Sequence, residues 1–263
     1  HCTAQCAVSM CLAVFSWQPG SAVPLNLVAN RDEFRQRPTQ AMHWWPDRTL
    51  LAGKDLQAGG TWLGFNRRGY FALLTNIRPG FIGASSAFSR GDLVRDFLQG
   101  CASIEAYHRA ILPRLNDYGG FNLVLGDARR LFYFSSIHPS GQWLAPGIHG
   151  LSNDSLNTPW PKTVLAKQQM RAWGDARLQS ADRQTILTST AIAEQQALPS
   201  TGVPLDWEQT LSAQTIVGAD YGTRCRTQAR QLRSGAVEVV EHQLDGHGQI
   251  LTSARFNLAG GAD

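Results

Sequence analysis

Apolar residues near the start of the chain fall in short runs separated by polar, Gly- and Pro-containing segments, a pattern typical of strands. The runs at 11–17 and 25–29 predict a first antiparallel hairpin. A Pro-flanked loop is predicted over 34–47. Asn66-Arg67-Arg68-Gly69 predicts a tight turn in which Gly69 adopts a positive φ. The strands predicted around this turn are 50–55, 60–65 and 70–76.

A helical period replaces the strand pattern further along. Over 91–98 the apolar residues Leu93, Val94, Phe97 and Leu98 share one helix face, with Ser89 as the cap and Gly100 at the end. A second helix is predicted from Ser103 to about residue 112, before Pro113. Three more helices are predicted at 160–173, 182–195 and 206–212.

Strands recur between the second and third predicted helices and again at the end of the sequence. A hairpin is predicted from 121–126 and 130–134, and two long strands from 221–232 and 237–244. The order of elements, with strand hairpins first, paired helices inside and strands last, predicts an α+β fold. We expect a four-layer αββα sandwich of two antiparallel sheets. We expect one domain over 10–263, preceded by an upstream extension or short propeptide at 1–9.

Composition narrows the choice of partner. The 263 residues are 43% hydrophobic and 17% charged, which is ordinary for a globular enzyme. The net charge of +4 is scattered rather than gathered in a basic block, so nucleic acid is not the expected partner. No apolar run reaches the ~18 residues of a membrane span. A small-molecule substrate or ligand is the remaining expectation.

Cysteine usage indicates a reducing compartment, and therefore the cytoplasm. Five cysteines are present without a CxxC pair or zinc-ligand spacing, so no metal site is expected. The run 6–15 resembles a signal-peptide core, but it lacks a basic leading segment and continues as a strand into Trp17. We therefore expect Met10 to be the true start.

Asn30-Arg31-Asp32-Glu33 closes the second strand and faces the start of the first, at Cys11. If Cys11 becomes the first residue of the mature chain, its thiol and its α-amine meet this charged quartet. An α-amine of pKa ~7.7–8 can then act as the base for the thiol beside it. The alternative is a buried cysteine that only packs. Cys11 alone does not decide between the two.

Three further polar segments sit at predicted strand ends. Each has a purely structural explanation: Asn76 precedes a turn-forming Pro79-Gly80, Asn153 could cap a turn before Pro159, and Arg224 could be a solvated strand residue. The segments are Thr75-Asn76-Ile77-Arg78, Leu151-Ser152-Asn153-Asp154 and Tyr221-Gly222-Thr223-Arg224.

Taken together, ten segments in order along the chain resemble a known family. They are Met10–Phe15, Val28–Phe34, Arg37-Pro38, Leu51–Gly64, Ala72–Asn76, Ser89–Val94, Tyr118–Val124, Gly150–Asn153, Thr158–Lys162 and Tyr221–Arg224. This set is similar to the NRDE family, also called the transport and Golgi organisation protein 2 family, in which the chain begins at Met-Cys.

That family in turn resembles the cysteine N-terminal-nucleophile hydrolases, such as bile-salt hydrolases and penicillin V acylases. Those enzymes cut non-peptide amide bonds on an αββα fold and need no cofactor. The resemblance implies that Cys11 is the nucleophile after removal of Met10. It also implies that Asp32 holds the α-amine of Cys11 and that Arg31 stabilises the thiolate.

The resemblance assigns the three later polar residues as well. Asn153 corresponds to the oxyanion-hole asparagine of the hydrolases, and Asn76 is the second donor. Arg224 is expected behind Asp32, where it would fix the charge of that carboxylate.

One departure affects Arg31. The hydrolases separate their arginine and aspartate by two residues, whereas Arg31 and Asp32 are adjacent. On a regular strand adjacent side chains point to opposite faces, so Asn30 and Asp32 would face the site and Arg31 with Glu33 would point away. A bulge at this point would bring Arg31 back.

The alternative function is a non-catalytic carrier for haem or an acyl lipid, because the resembled family is associated with haem trafficking and lipid homeostasis. Candidate haem ligands are Cys11, His43 and His108, with His43 preferred for its place beside Trp44-Trp45. Aromatic residues could line an apolar pocket, although packing in the core is the favoured interpretation for most of them. They are Trp44, Trp45, Trp62, Phe65, Tyr70 and Phe71.

Overall fold

Two antiparallel sheets make up the centre of the protein, as seen in a computed structural model. The structure describes residues 10–46, 48–78, 86–100, 102–127, 129–173 and 183–260. The predicted extension at 1–9 lies outside the described residues. Within them, no helix combines the length and the apolar character needed to cross a membrane.

The first sheet has six strands and carries the predicted opening hairpin at its middle. In spatial order its strands are β10 (Gly147–Leu151), β1 (Met10–Trp17), β2 (Leu25–Phe34), β11 (Tyr221–Gln231), β12 (Val237–Leu244) and β13 (Ile250–Leu258). Every pairing in it is antiparallel.

The second sheet has seven strands and follows the chain order. They are β3 (Thr39–Trp44), β4 (Leu50–Asp55), β5 (Leu63–Asn66), β6 (Phe71–Asn76), β7 (Phe121–Gly126), β8 (Leu131–Ser135) and β9 (Gln142–Trp143). The β5–β6 connection contains the predicted turn, with Gly69 at a φ of +77°.

The main core lies between the two sheets. Alternate residues of β1 and β2, among them Phe15, Trp17 and Leu27, pack against Leu63 and Phe71 of the second sheet. Each of these side chains is almost fully buried. Burial of one such side chain contributes about 1.5–3 kcal/mol, so this shared apolar face holds the sheets together.

Helices cover both outer faces. α1 (Gly91–Gly100) and α2 (Ile104–Ile111) lie on the second sheet, and α1 buries the four apolar residues predicted from its period. Ser103 caps α2, accepting from the Ala106 amide. α3 (Pro161–Trp173) packs on the outer face of the first sheet, and α4 (Leu205–Thr210) follows it. The predicted αββα sandwich is confirmed.

Several predicted elements were wrong. The loop predicted over 34–47 contains β3, and the sequence patterns missed β9, β10 and β13. The helix predicted over 182–195 is a short 3-10 turn at Arg183–Thr185 within the described residues. Leu187 ends it with a φ of 64°, and its carbonyl accepts hydrogen bonds from Asn30 and Arg226. Tertiary hydrogen bonds therefore override the local helical pattern.

Candidate active site

Cys11 and the Asn30–Glu33 segment meet in the middle of the first sheet. In the β1–β2 register Cys11 lies directly opposite Arg31. Directly paired residues point to the same face of a sheet, so the Cys11 and Arg31 side chains both point into the space between the two sheets. Glu33 shares this face, with its Oε2 3.5 Å from Nη2 of Arg31.

The expected assignment of faces was wrong. Asn30 and Asp32 point to the outer face of the first sheet: Nδ2 of Asn30 donates to the carbonyls of Leu187 and Gln214. β2 pairs with β1 without a bulge, so adjacent residues do alternate as expected. The register, which the sequence does not specify, puts Arg31 rather than Asp32 on the face of the Cys11 thiol.

The Cys11 thiol is enclosed, with 4% of the residue exposed. Burial, followed by the charge of Asp32, raises its pKa to about 12, while Arg31 acts in the opposite direction. The backbone amide of Asp32 donates to Sγ and favours the thiolate. In a chain that retains Met10, the thiol is therefore held protonated at neutral pH.

Slow alkylation of Cys11 is the expected consequence. At pH 8 a thiol of such a pKa is about one part in 10⁴ thiolate, so the folded chain with Met10 in place should react with iodoacetamide at least roughly tenfold slower than the unfolded chain. Peptide mapping of a time course measures the Cys11 peptide separately. Equal rates for this peptide in buffer and in guanidinium chloride would contradict the prediction.

On the other face of β2, Asp32 is fully buried and only half satisfied. Its Oδ1 accepts from Thr223 Oγ1 at 2.6 Å. Its Oδ2 has no hydrogen-bond partner among the described residues. Burial raises the pKa of the Asp32 carboxyl, against the charge of Lys162, the Thr223 hydrogen bond and the charge of Arg78.

Lys162 and Arg78 both lie in segments that the sequence singles out, but neither of them has a predicted role. Lys162 begins α3 and its Nζ donates to the Leu211 carbonyl at 2.8 Å, and burial lowers its pKa. Arg78 follows β6 and forms a buried ion pair with Glu208, at 2.9 Å between Nη1 and Oε2. Its Nε lies 3.3 Å from Sδ of Met10, so Arg78 contacts the residue just ahead of Cys11.

Arg224 does not take the expected place behind Asp32. Its Nη1 donates to the carbonyls of Phe34 and Arg37. The register of β11 against β2 shifts between Thr223 and Cys225, and this irregularity directs Thr223 rather than Arg224 to the carboxylate. Arg224 therefore fixes the end of β2 and not the charge of Asp32.

The two predicted amide residues, Asn76 and Asn153, are brought together. Asn153 is fully buried, and its Nδ2 donates to the Asn76 carbonyl at 2.9 Å. The Arg78 amide donates back to the Asn153 carbonyl at 2.8 Å. These hydrogen bonds tie the end of β6, in the second sheet, to the end of β10, in the first.

A cleft of about 380 Å³ opens where the two sheets part beside these residues. Arg31, Glu33 and Asn76 form part of its wall, together with the start of α1. The guanidinium carbon of Arg31 lies 4.2 Å from the centre of the Trp62 ring, in cation–π geometry. The wall is completed by Arg37, Asp55, Gln57, Ala58, Gly60, Thr61, Trp62, Leu74, Ser86, Ala87, Phe88, Ser89, Arg90 and Gly91.

The ten sequence segments that resemble the family run from β1 to β11. A model of the family described as Transport and Golgi organisation 2 matches residues 10–246. The chain belongs to this family. The Transport and Golgi organization protein 2 homolog of Bos taurus is 36% identical over 174 residues, covering 60% of this chain and 62% of the relative. The chain thus spans about three fifths of the length of that family member.

The solved structures that are similar to this chain have lower sequence identity to it than the bovine relative has. A penicillin V acylase from Agrobacterium tumefaciens is 14% identical, with a TM-score of 0.43 over 94% of this chain and 86% of the acylase. A Caenorhabditis elegans N-acylethanolamine-hydrolyzing acid amidase ortholog is 11% identical, with a TM-score of 0.45 over 82% and 91% of the two chains. The fold of this chain is assigned from its own two antiparallel sheets and the helices that cover them.

His43, the preferred haem ligand, lies on β3 away from this cleft. Its Nδ1 donates to the Ala41 carbonyl at 2.8 Å, and its ring stacks on Trp45 with 6.4 Å between centroids. The histidine is not among the residues that line the cleft. Among the described residues no group of His, Cys, Asp and Glu could hold a metal ion. Haem binding stays a prediction for this family member.

Proposed function

We propose that this protein is a cysteine amidase that hydrolyses the C–N bond of a small acyl amide after Cys11 has become its first residue. The observation that carries the proposal is Oδ2 of Asp32, a buried carboxylate oxygen at the position paired with Met10 that has no hydrogen-bond partner among the described residues. A buried carboxylate oxygen without a donor is costly, and an ammonium group beside it would offset that cost.

Removal of Met10 would create that ammonium group. The new α-amine of Cys11 lies one residue from the Met10–Asp32 pair, and directly paired residues are about 4.5–5.5 Å apart. Asp32 would raise the pKa of the amine, whereas Lys162 and Arg78 would lower it. These opposed charges favour an amine that titrates near its ordinary range of ~7.7–8.

The amine and the thiol then act together. The neutral amine takes the proton from Sγ, and the thiolate attacks the carbonyl carbon of the amide. The resulting ammonium protonates the leaving nitrogen as the C–N bond breaks, which leaves a thioester on Cys11. Attack by water on the thioester releases the carboxylic acid and returns the proton to Sγ.

Positive charge and amide donors support this chemistry from the thiol face. Arg31 is opposite Cys11 and its charge favours the thiolate. Asn76 lines the cleft, and Asn153 is hydrogen bonded to the Asn76 carbonyl; the proposal assigns the oxyanion to these two residues. Loss of one oxyanion donor typically lowers a rate by ~10²–10³.

Intact mass and N-terminal sequencing test the proposal when the chain is expressed from Met10. We expect a mature chain that begins at Cys11 and is lighter by one methionine residue. A matched form with two residues added before Met10 keeps the amine blocked. Only the trimmed form should hydrolyse a panel of N-acyl glycines and N-acyl anilides.

Two outcomes count against the proposal. Equal hydrolysis by the trimmed and blocked forms would remove the α-amine as the base. Failure of the trimmed form on every acyl amide in the panel would remove the amidase function itself.

A further inference from the structure

The charges that line the cleft are not balanced. Arg37 pairs with Asp55 at 2.8 Å, and Glu33 is shared between Arg31 at 3.5 Å and Arg37 at 3.7 Å. Three arginines and two carboxylates therefore face the same space. Among the described residues, Arg90 is the cleft arginine that forms no ion pair with a carboxylate.

Arg90 is nevertheless held in a defined position. Its Nη1 donates to the Gly120 carbonyl at 3.2 Å. A Cβ at Gly119 would lie 3.1 Å from Nη1, so the absence of a side chain there makes room for the guanidinium. The carbonyl engages one nitrogen, and within the part of the chain that the structure describes no hydrogen bond occupies Nε or Nη2. Arg90 and the Gly119-Gly120 pair both belong to motifs that the proposed mechanism leaves without a role.

The position of Arg90 links it to the proposed reaction. The charge of a Cys11 thiolate would act on Arg90, and so does the charge of Glu33. Burial also disfavours the charged guanidinium, so an anion in the cleft would offset part of that cost. A guanidinium with two donors available is suited to a carboxylate, which it can bind in a bidentate manner.

We propose that Arg90 binds a carboxylate of the substrate, so that the substrates of the proposed amidase are anionic acyl amides small enough for this cleft. That the bound molecule is hydrolysed rests on the proposed function, whereas binding of its carboxylate by Arg90 does not. Trp62, Leu74 and Phe88 would contact the apolar part of the same molecule.

Binding without turnover tests the proposal. Isothermal titration calorimetry on the Cys11→Ala protein compares phenylacetylglycine with phenylacetylglycinamide, which has the same shape without the charge. We expect the acid to bind at least tenfold more tightly than the amide. Arg90→Gln should remove this difference. Arg255→Gln, which removes an arginine from the exposed face of β13, should retain it.

Each outcome either supports or overturns the proposed carboxylate site at Arg90. Equal affinity for the two ligands, no binding of either, or discrimination that survives in Arg90→Gln would overturn it. Discrimination that is lost in Arg90→Gln supports it even if the trimmed enzyme hydrolyses no amide, because only the amidase function would then fail.

Discussion

Replacing Cys11 with serine is expected to lower amide hydrolysis by the trimmed enzyme by roughly 10⁴-fold or more, with the fold unchanged. A serine hydroxyl has nearly the same size as the thiol, so the packing between the sheets is preserved. It is far harder to deprotonate, and the α-amine beside it cannot produce a comparable nucleophile. Initial rates on the best amide of the panel measure the loss, and circular dichroism with thermal unfolding measures the fold.

Cys225→Ser is the matched control. Cys225 is the other described free cysteine, is equally buried, and is paired with Arg31 from the opposite side of β2. We expect this variant to keep its rate within about threefold, because Cys225 has no amine beside its thiol. The nucleophile assignment fails if Cys11→Ser hydrolyses at the wild-type rate, or if both serine variants lose activity equally.

Arg78→Met is expected to lower the free energy of unfolding by about 3–5 kcal/mol. The Arg78–Glu208 pair is 1% and 4% exposed. Removing the cation leaves Glu208 as a buried charge whose remaining hydrogen bonds come from Thr201. The variant also removes the contact of Arg78 with Met10. Urea unfolding followed by fluorescence measures the change.

Two further variants separate the buried charge from the loss of the arginine side chain. Arg78→Met with Glu208→Gln should recover part of the lost stability, because no uncompensated charge remains. Arg95→Met breaks the pairs of Arg95 with Asp92 and Asp96 on the partly exposed surface of α1, and should cost about 1 kcal/mol or less. The explanation is wrong if Arg78→Met costs no more than Arg95→Met, or if the double variant is as unstable as the single one.

The general architecture was accessible from the sequence because its signals are local. Alternating apolar residues predicted the β1–β2 hairpin, and the helical period with its cap predicted α1 and α2 almost to their ends. The same patterns placed Cys11 against the Asn30–Glu33 segment, since a hairpin brings these residues together. The location of the candidate site therefore followed from short-range information.

The orientation of the site did not follow, because it depends on register and on distant contacts. A shift of one residue between β1 and β2 would exchange the faces of Arg31 and Asp32, and the sequence carries no local mark of that choice. Thr223 reaches Asp32 through an irregularity in β11. Lys162 comes from α3, more than a hundred residues away in the chain.

The alternation along β2 has a consequence for how this protein can diversify. The side chains of Asn30 and Asp32 form hydrogen bonds on the outer face of the first sheet, whereas those of Arg31 and Glu33 line the cleft. One layer of backbone thus separates the groups that would set the basicity of the amine from those that would select the ligand, although charges on both faces act on the Cys11 thiol. Substitutions on the outer face would act mainly on the basicity of the amine, and substitutions of cleft residues other than Arg31 and Glu33 mainly on the choice of ligand.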